Sequence, residues 1–349
     1  LRDPDPDVRI VAACALVALG EPPQPTAEWV GYWAQVRDWN ILQQLGAAAA
    51  ASIGTVAEEP GCSPRDQQAA VATLQAIGGP EAVAVLLRLA GHREADVRAA
   101  AGLALGRLGA VAAIPRLLEL IEDEETARRA AEGLALLGEP ALAPLSQLLA
   151  TGRPAAARWA AYALGRLALP GAVSPLCQAL DQDSSPIRQA AAAALGELGR
   201  PEAAHALITV LQSDPDWQVR RAAATALGGL ETPDAAPALR ASLADAYGEV
   251  RQACRAGLAK LGATPAPELL AAAEGIGWAD WESCLAAGPA ALELLARVLQ
   301  ERDTDAEAIK RRAGAASTVA RLGGPTADEL LHRALGDPHP RVRAAAARG

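Results

Sequence analysis

Apolar residues recur along the chain at spacings of three, four and seven positions, which is the period of an amphipathic helix. The segment Asp96–Gly109 shows the pattern most clearly. Counted from Val97, here called the anchor, Leu105 and Leu108 lie 8 and 11 residues later, and a glycine follows. Further copies, degenerate at Arg37 and near Trp281, begin at Val8, Arg37, Asp66, Thr126, Ala156, Ile187, Val219, Val250, Trp281, Arg311 and Val342. The chain therefore consists of about twelve repeats of about 30 residues.

Each repeat contains two helical patterns separated by a turn. The first resembles the segment Ala113–Ile121, and the second is the anchor helix. Asp and Pro stand between them, as in Ser213–Asp216, where Asp can cap the next helix and Pro is tolerated in its first turn. Two such short helices cannot bury their apolar faces alone, so the repeats must stack. The sequence predicts an all-α fold, an α-solenoid or superhelix of about twelve helical hairpins.

The composition agrees with a helical fold. Alanine supplies 87 of the 349 residues, aromatic residues only 3%, and phenylalanine and methionine none. Alanine favours helices, whereas strands prefer β-branched and aromatic residues. The composition therefore excludes an all-β protein and argues against a Rossmann-type α/β protein.

Charge and cysteine usage narrow the class further. A net charge of −9 argues against general nucleic-acid binding, which needs a positive field. The five cysteines are scattered, which predicts small buried residues in a reducing compartment and neither disulfides nor zinc. The longest uncharged run, Trp39–Ala57, is too weakly apolar for a membrane span. We therefore expect a cytoplasmic protein that does not bind membranes.

The repeats resemble a known family. The signature Asp-Pro-x-x-Val-Arg-x-Ala-Ala-x-Ala-Leu-Gly-x-Leu-Gly is similar to bacterial HEAT repeats, in particular to the phycobilin-lyase-type HEAT-like subclass. The similarity is good over Val8–Gly20 and Asp66–Gly262 and acceptable over Arg311–Gly349. The resemblance implies one HEAT-like solenoid over residues 1–349, with irregular repeats at 21–65 and 263–300.

An arginine follows the anchor in many repeats. These residues are Arg9, Arg98, Arg188, Arg220, Arg251, Arg312 and Arg343. Asp214, Asp245 and Asp337 lie five residues before their anchors and are plausible partners. We predict a stapling arginine ladder, in which each arginine binds the inter-helix Asp of its own or of an adjacent repeat, because solenoids repeat their interface chemistry.

Aromatic residues concentrate where the repeat is irregular. Exposed Trp and Tyr are favoured interface anchors, so these rings are candidates for binding a partner. The candidates are Trp29, Tyr32, Trp33 and Trp39 in the first zone, Trp278 and Trp281 in the second, and Trp159 in a regular anchor helix. The alternative is that the rings fill gaps where the alanine-rich packing is interrupted.

Arginine collects on the anchor helices and acidic residues on the first helices and turns. In HEAT-like solenoids the second helix lines the concave surface, so the resemblance implies an arginine-bearing groove. The candidates there are Arg128, Arg158, Arg221 and Arg255. Such a groove suits an acidic or extended peptide, an acidic protein face or an anionic chromophore. The alternative is that these arginines only belong to the ladder and its solvated flank.

Signals for catalysis are nearly absent. The four histidines are scattered, and the sequence contains no nucleophile elbow, phosphate-binding loop or zinc-protease motif. We predict no cofactor and no metal site.

Three functions remain in competition. The first is a non-catalytic scaffold that binds a protein through the concave face and the Trp-rich repeats. The second is a bilin lyase or chromophore chaperone acting on a phycobiliprotein, and the third is a HEAT-like DNA-repair glycosylase. Neither end carries a polar capping repeat, so we also expect a segment of a longer protein, or ends that pack against further repeats or subunits.

Overall fold

A computed structural model describes residues 5–20, 26–277 and 279–348 of the chain. Within these residues the chain is helical and forms no strand. It divides into two compact units, Leu1–Ala172 and Val173–Gly349.

The helices of the first unit follow the predicted repeat, with odd-numbered helices as anchor helices. They are α1 (Pro6–Ala18), α2 (Ala27–Val36), α3 (Trp39–Leu45), α4 (Ala50–Glu58), α5 (Pro64–Ile77), α6 (Gly79–Leu89), α7 (Ala95–Arg107), α8 (Ile114–Ile121), α9 (Ala127–Leu136), α10 (Glu139–Thr151) and α11 (Pro154–Arg166).

The second unit continues the same alternation. Its helices are α12 (Val173–Ala179), α13 (Ser185–Leu198), α14 (Ala204–Ser213), α15 (Trp217–Gly229), α16 (Ala235–Ala241), α17 (Gly248–Lys260), α18 (Pro267–Gly277), α19 (Trp281–Ala286), α20 (Leu292–Leu299), α21 (Ala306–Leu322), α22 (Pro325–Ala334) and α23 (Pro340–Ala346). The predicted all-α solenoid of helical hairpins is confirmed.

The degenerate copy at Arg37 differs from the prediction in its start. Arg37 ends α2 in a left-handed conformation with φ 58°, and the next helix begins at Trp39. The cause is local, because the Asp38 side chain accepts a hydrogen bond from the Ile41 N–H at 3.2 Å and so caps α3.

Several other helix ends carry the predicted chemistry. Asp216 accepts a hydrogen bond from the Gln218 N–H at 2.8 Å at the start of α15, and Asp305 accepts one from the Ala308 N–H at 2.8 Å at the start of α21. At the end of α13, Gly199 adopts the left-handed conformation, which has no steric penalty for glycine.

Neighbouring anchor helices approach each other at glycine. A Cβ atom on Gly106 of α7 would lie 2.3 Å from the Gly133 oxygen of α9. A Cβ atom on Gly228 of α15 would lie 2.5 Å from the Gly257 Cα of α17. Real Cβ atoms do not come so close to backbone, which explains why the anchor helices are rich in small residues. This close stacking places the anchor-helix arginines of adjacent repeats side by side.

Candidate partner-binding surface

The predicted arginine ladder is present in the second unit. Arg188 donates from Nε and Nη2 to the two carboxylate oxygens of Asp214 at 2.7 and 3.0 Å. Arg220 makes the same pair of bonds with Asp245, also at 2.7 and 3.0 Å. These are bidentate, charge-assisted hydrogen bonds between one repeat and the next. The bonds to Asp214 raise the pKa of Arg188 above its usual value.

The remaining guanidinium nitrogen of each arginine, Nη1, donates hydrogen bonds to the turn of its own repeat. Nη1 of Arg220 donates to the carbonyl oxygens of Asp214 and Pro215 at 2.8 and 3.1 Å. One guanidinium therefore links the turn before its helix to the carboxylate of the following repeat. Similar rungs join Arg98 to Asp123 at 2.6 Å and Arg312 to Asp337 at 2.9 Å. The side chain of Arg9 lies outside the described residues.

Beside this ladder the second unit carries an aromatic surface, here called the unit-2 patch and formed by Trp217, Arg221 and Tyr247. The Trp217 and Tyr247 rings stack with their centroids 5.5 Å apart and an interplanar angle of 13°. The Arg221 guanidinium carbon lies 5.6 Å from the centroid of the Trp217 ring, within the range of a cation–π interaction. Tyr247 is 44% exposed and Arg221 is exposed, so a partner can reach both.

Of these three residues, the sequence analysis singled out only Arg221. Trp217 and Tyr247 lie 30 positions apart, which is one repeat length. They occupy nearly the same place in successive repeats, at the N-terminal ends of α15 and α17. The recurrence of an aromatic residue at one repeat period could therefore have predicted this patch. The prediction instead placed most aromatic candidates in the irregular repeats and missed it.

The first unit carries a second patch, here called the unit-1 patch and formed by Arg158, Trp159, Tyr162 and Arg166 of α11. The Trp159 and Tyr162 rings pack edge to face at 5.6 Å. Arg158 lies 5.5 Å from the Trp159 ring centroid, and Arg166 lies 5.6 Å from that of Tyr162. Both arginines are exposed and both rings are half-buried. This arrangement unites the candidates Arg158 and Trp159 on one helix.

Arg128 is exposed on α9, and its Nε donates a hydrogen bond to Glu132 of the same helix at 3.2 Å. Such an exposed pair contributes little to stability and leaves the side chain accessible. Arg255 on α17 is half-buried and pairs with Glu274 of α18 at 2.8 Å.

The four aromatic candidates of the first irregular zone divide by burial. Trp29 and Trp33 in α2 are buried, with exposed fractions of 6% and 4%, as the gap-filling interpretation expects. Tyr32 and Trp39 are half-buried and line a shallow cavity of about 520 Å³ together with Cys14, Arg37 and Asn40. Burial and a hydrogen bond with Cys14 raise the pKa of Tyr32 to about 12. Trp33 also lines this cavity, so a partner there could contact it beside Tyr32 and Trp39, whereas Trp29 is not among the lining residues.

In the second irregular zone, Trp281 is half-buried at the start of α19 and lies against Gly314 of α21. A Cβ atom on Gly314 would lie 2.3 Å from the indole ring, so the glycine makes room for it. Trp278 lies outside the described residues.

The described residues contain no cluster of three or more His, Cys, Asp or Glu side chains that could hold a metal ion. The prediction that the cysteines are buried is confirmed for Cys62, Cys254 and Cys284, but Cys177 is half-buried and Cys14 is exposed, so it is wrong for Cys14. Burial raises the pKa of Cys284 to about 11. A thiol with a raised pKa is a poor nucleophile at neutral pH. No helix in the described part of the chain is both long enough and apolar enough to cross a membrane.

Successive helical hairpins that stack on one another place the chain in the class of α-solenoid repeat proteins. A family model of HEAT repeats matches residues 58–129, 120–196 and 173–259. These matches together span more than half of the sequence, and the chain belongs to the HEAT-repeat family. No curated protein matches it.

Similar solved structures have low sequence identity. Human deoxyhypusine hydroxylase in complex with glycerol is 22% identical, with a TM-score of 0.33 over 74% of this chain and 99% of that chain. An engineered protein is 20% identical, with a TM-score of 0.37 over 100% and 95%. A chain from the structure of Kap95p with RanGDP is 14% identical, with a TM-score of 0.45 over 99% of this chain and 53% of that one.

Proposed function

We propose that the protein is a non-catalytic scaffold that binds another protein through its aromatic and arginine patches. The observation that carries the proposal is the unit-2 patch, where two stacked rings and a guanidinium lie accessible at the surface. Tyr, Trp and Arg are the residues that most often dominate the energy of protein interfaces. The patch lies on a rigid element, because the adjacent Arg220 rung fixes the turn that carries Tyr247.

The charge distribution supports a partner with acidic character. The protein carries a net charge of −9, yet Arg221 in the unit-2 patch and Arg158 and Arg166 in the unit-1 patch are exposed. None of these three side chains forms an ion pair within the described residues. An acidic segment would gain both cation neighbours and aromatic contact area at such a patch.

The test is capture of a partner from the source lysate by the full chain and by two variants. Trp217→Ala combined with Tyr247→Ala removes both rings of the unit-2 patch, the half-buried Trp217 and the exposed Tyr247. The matched control is Arg107→Ala, which removes an exposed side chain outside both patches. We expect one protein in stoichiometric amount with the wild type and the control and at least about tenfold less with the double variant.

The proposal is overturned if no protein is retained by the wild type, or if the double variant retains it as well as the control does. The visible absorbance of the captured material distinguishes a scaffold from the alternative, a phycobilin-lyase-type protein. A co-purified tetrapyrrole or phycobiliprotein subunit would support chromophore handling and contradict a simple scaffold.

A further inference from the structure

Among the ladder arginines of α13, α15, α17 and α21, Arg251 is the one without a carboxylate partner in the described residues, whereas Arg188, Arg220 and Arg312 each pair with an aspartate. At the intact rungs, the aspartate comes from 25 or 26 positions after the arginine, as with Asp214 after Arg188 and Asp245 after Arg220. The corresponding positions after Arg251 hold Ile276 and Gly277, which carry no acid. The repeat that follows α17 therefore does not complete the rung.

Arg251 nevertheless keeps the pose of a ladder arginine. Its Nη1 donates to the carbonyl oxygens of Asp245 and Ala246 at 2.7 and 3.0 Å, as Arg220 does in its own turn. Its Nε and Nη2 atoms, which hold the carboxylate at intact rungs, meet no carboxylate in the described part of the chain. Arg251 as a whole is half-buried.

Gly277 occupies the place from which the missing acid would come. A Cβ atom on Gly277 would lie 2.5 Å from Nη2 and 2.8 Å from Cζ of Arg251. The guanidinium therefore fills the space where a side chain at position 277 would begin. These close atoms belong to the far end of a flexible side chain, which can move aside when a carboxylate enters.

The surroundings of Arg251 carry excess positive charge. Arg255 lies one turn further along α17 and pairs with Glu274, while its buried Nε has no partner. Arg311 is 7% exposed at its side chain and pairs with Glu301 at 2.8 Å, and its buried Nε also has no partner. Burial, Arg311 and Arg255 together lower the pKa of Arg251. A carboxylate arriving here would relieve repulsion between three guanidinium groups.

We propose that Arg251 binds a carboxylate of the partner protein, from an Asp or Glu in an extended acidic segment, in the position that aspartate occupies at the intact rungs. The proposal rests on the proposed scaffold function, because the partner supplies the acid. A planar carboxylate fits best, since the intact rungs hold one with two parallel N–H···O bonds. The same segment can reach Tyr247, whose carbonyl oxygen accepts the Arg251 backbone N–H at 3.2 Å.

The test uses the full chain and a fluorescein-labelled hexa-aspartate peptide as the probe, followed by fluorescence anisotropy. Gly277→Asp supplies an internal carboxylate, and Gly277→Asn adds a side chain of the same shape without the charge. We expect the wild type to bind the probe and Gly277→Asp to bind it at least about tenfold more weakly than Gly277→Asn does. Arg251→Gln should weaken binding to a similar extent. A thermal midpoint of Gly277→Asp at or above that of Gly277→Asn would show that the internal rung forms.

The proposal is overturned if Gly277→Asp and Gly277→Asn bind the probe equally, or if the wild type binds it no better than hexa-asparagine. The titration needs no captured partner, so it stands apart from the lysate experiment. A charge-dependent titration without any captured protein would contradict the scaffold and support the carboxylate site. A partner lost with the Trp217/Tyr247 variant but retained by Gly277→Asp would support the scaffold and contradict the carboxylate site.

Discussion

Three arginines of the second unit show how position in the repeat determines what a side chain does. Arg220 is 8% exposed and binds Asp245 with two bonds, so its charge is fully used within the fold. Arg221 is the next residue, is exposed and lies over the half-buried ring of Trp217. Arg251 has the backbone environment of Arg220 but no carboxylate. Only the second and third are therefore available to a partner.

A buried carboxyl near Arg251 makes stability depend on pH. Burial raises the pKa of Glu301 to about 7, although the nearby Arg311 acts in the opposite direction. Between about pH 4.5 and 7 the unfolded chain releases this proton while the folded chain keeps it. The contribution is therefore present below pH 4.5, and stability falls as the pH rises through this window. The expected loss is on the order of 1–3 kcal/mol.

The pH prediction is checked with Glu301→Gln, which cannot ionise. Between pH 5 and 8, the thermal midpoint of the variant should rise relative to that of the wild type as the pH increases. The exposed Glu282→Gln removes the same charge and corrects for the change in net charge. A difference that stays constant or reverses would mean that the ion pair with Arg311 outweighs burial.

A ladder residue could be predicted from the sequence only where an acidic residue stands at the expected position in the repeat. The rungs at Asp214 and Asp245 were predictable, because an acid stands at a fixed distance before each anchor. The open rung consists of an absent side chain at Gly277 beside Arg251, whose pKa is lowered by burial and by Arg311, which lies 60 positions after Arg251 in the sequence. The repeat period alone does not bring Arg311 to this place, so folding was needed to assemble the group.

At the scale of helices, the ladder adds buried ion pairs between repeats whose anchor helices approach each other closely at glycine. The Arg220 and Asp245 side chains are only 10% and 3% exposed. If Arg220 is replaced by Gln, Asp245 remains buried without its cation, and the expected cost is about 3–5 kcal/mol. The matched variant is Arg321→Gln, since the pair of Arg321 with Glu282 is exposed at both ends and should cost less than about 1 kcal/mol.

Urea denaturation followed by circular dichroism checks the cost of the rung. Adding Asp245→Asn to Arg220→Gln should recover part of the loss, because the uncompensated charge is then gone. Equal effects of Arg220→Gln and Arg321→Gln would show that the buried rung carries no special stability.

Helix positions were predicted better than helix lengths. The anchors at Val97, Ile187 and Val219 lie within α7, α13 and α15, since apolar spacing reports a helical face directly. The helix after Arg37 starts two residues late, because a single capping aspartate sets the boundary and the apolar pattern does not. The chain divides into two compact units. That residues 1–349 form one solenoid stays a prediction.

At the scale of the whole molecule, stability is expected to be local. Each repeat contacts its neighbours, so a defect should loosen the adjacent helices and spare distant ones. Gly228→Ala places a Cβ atom 2.5 Å from the Gly257 Cα, and such overpacking costs about 1–3 kcal/mol. Hydrogen exchange of the backbone amides should therefore become faster in α13, α15 and α17, while α5, α7 and α9 keep their rates.

The neighbouring glycine supplies the control for this prediction. A Cβ atom on Gly229 would meet its nearest atom, the Gly196 oxygen, only at 3.9 Å, so Gly229→Ala adds a methyl group without a clash. Because alanine restricts the unfolded chain more than glycine does, this variant should be neutral or stabilising by up to about 1 kcal/mol. If Gly228→Ala speeds exchange equally in both units, the chain opens as one cooperative body and the local picture is wrong. If it leaves α15 and α17 unchanged, the close approach of their backbones does not limit stability.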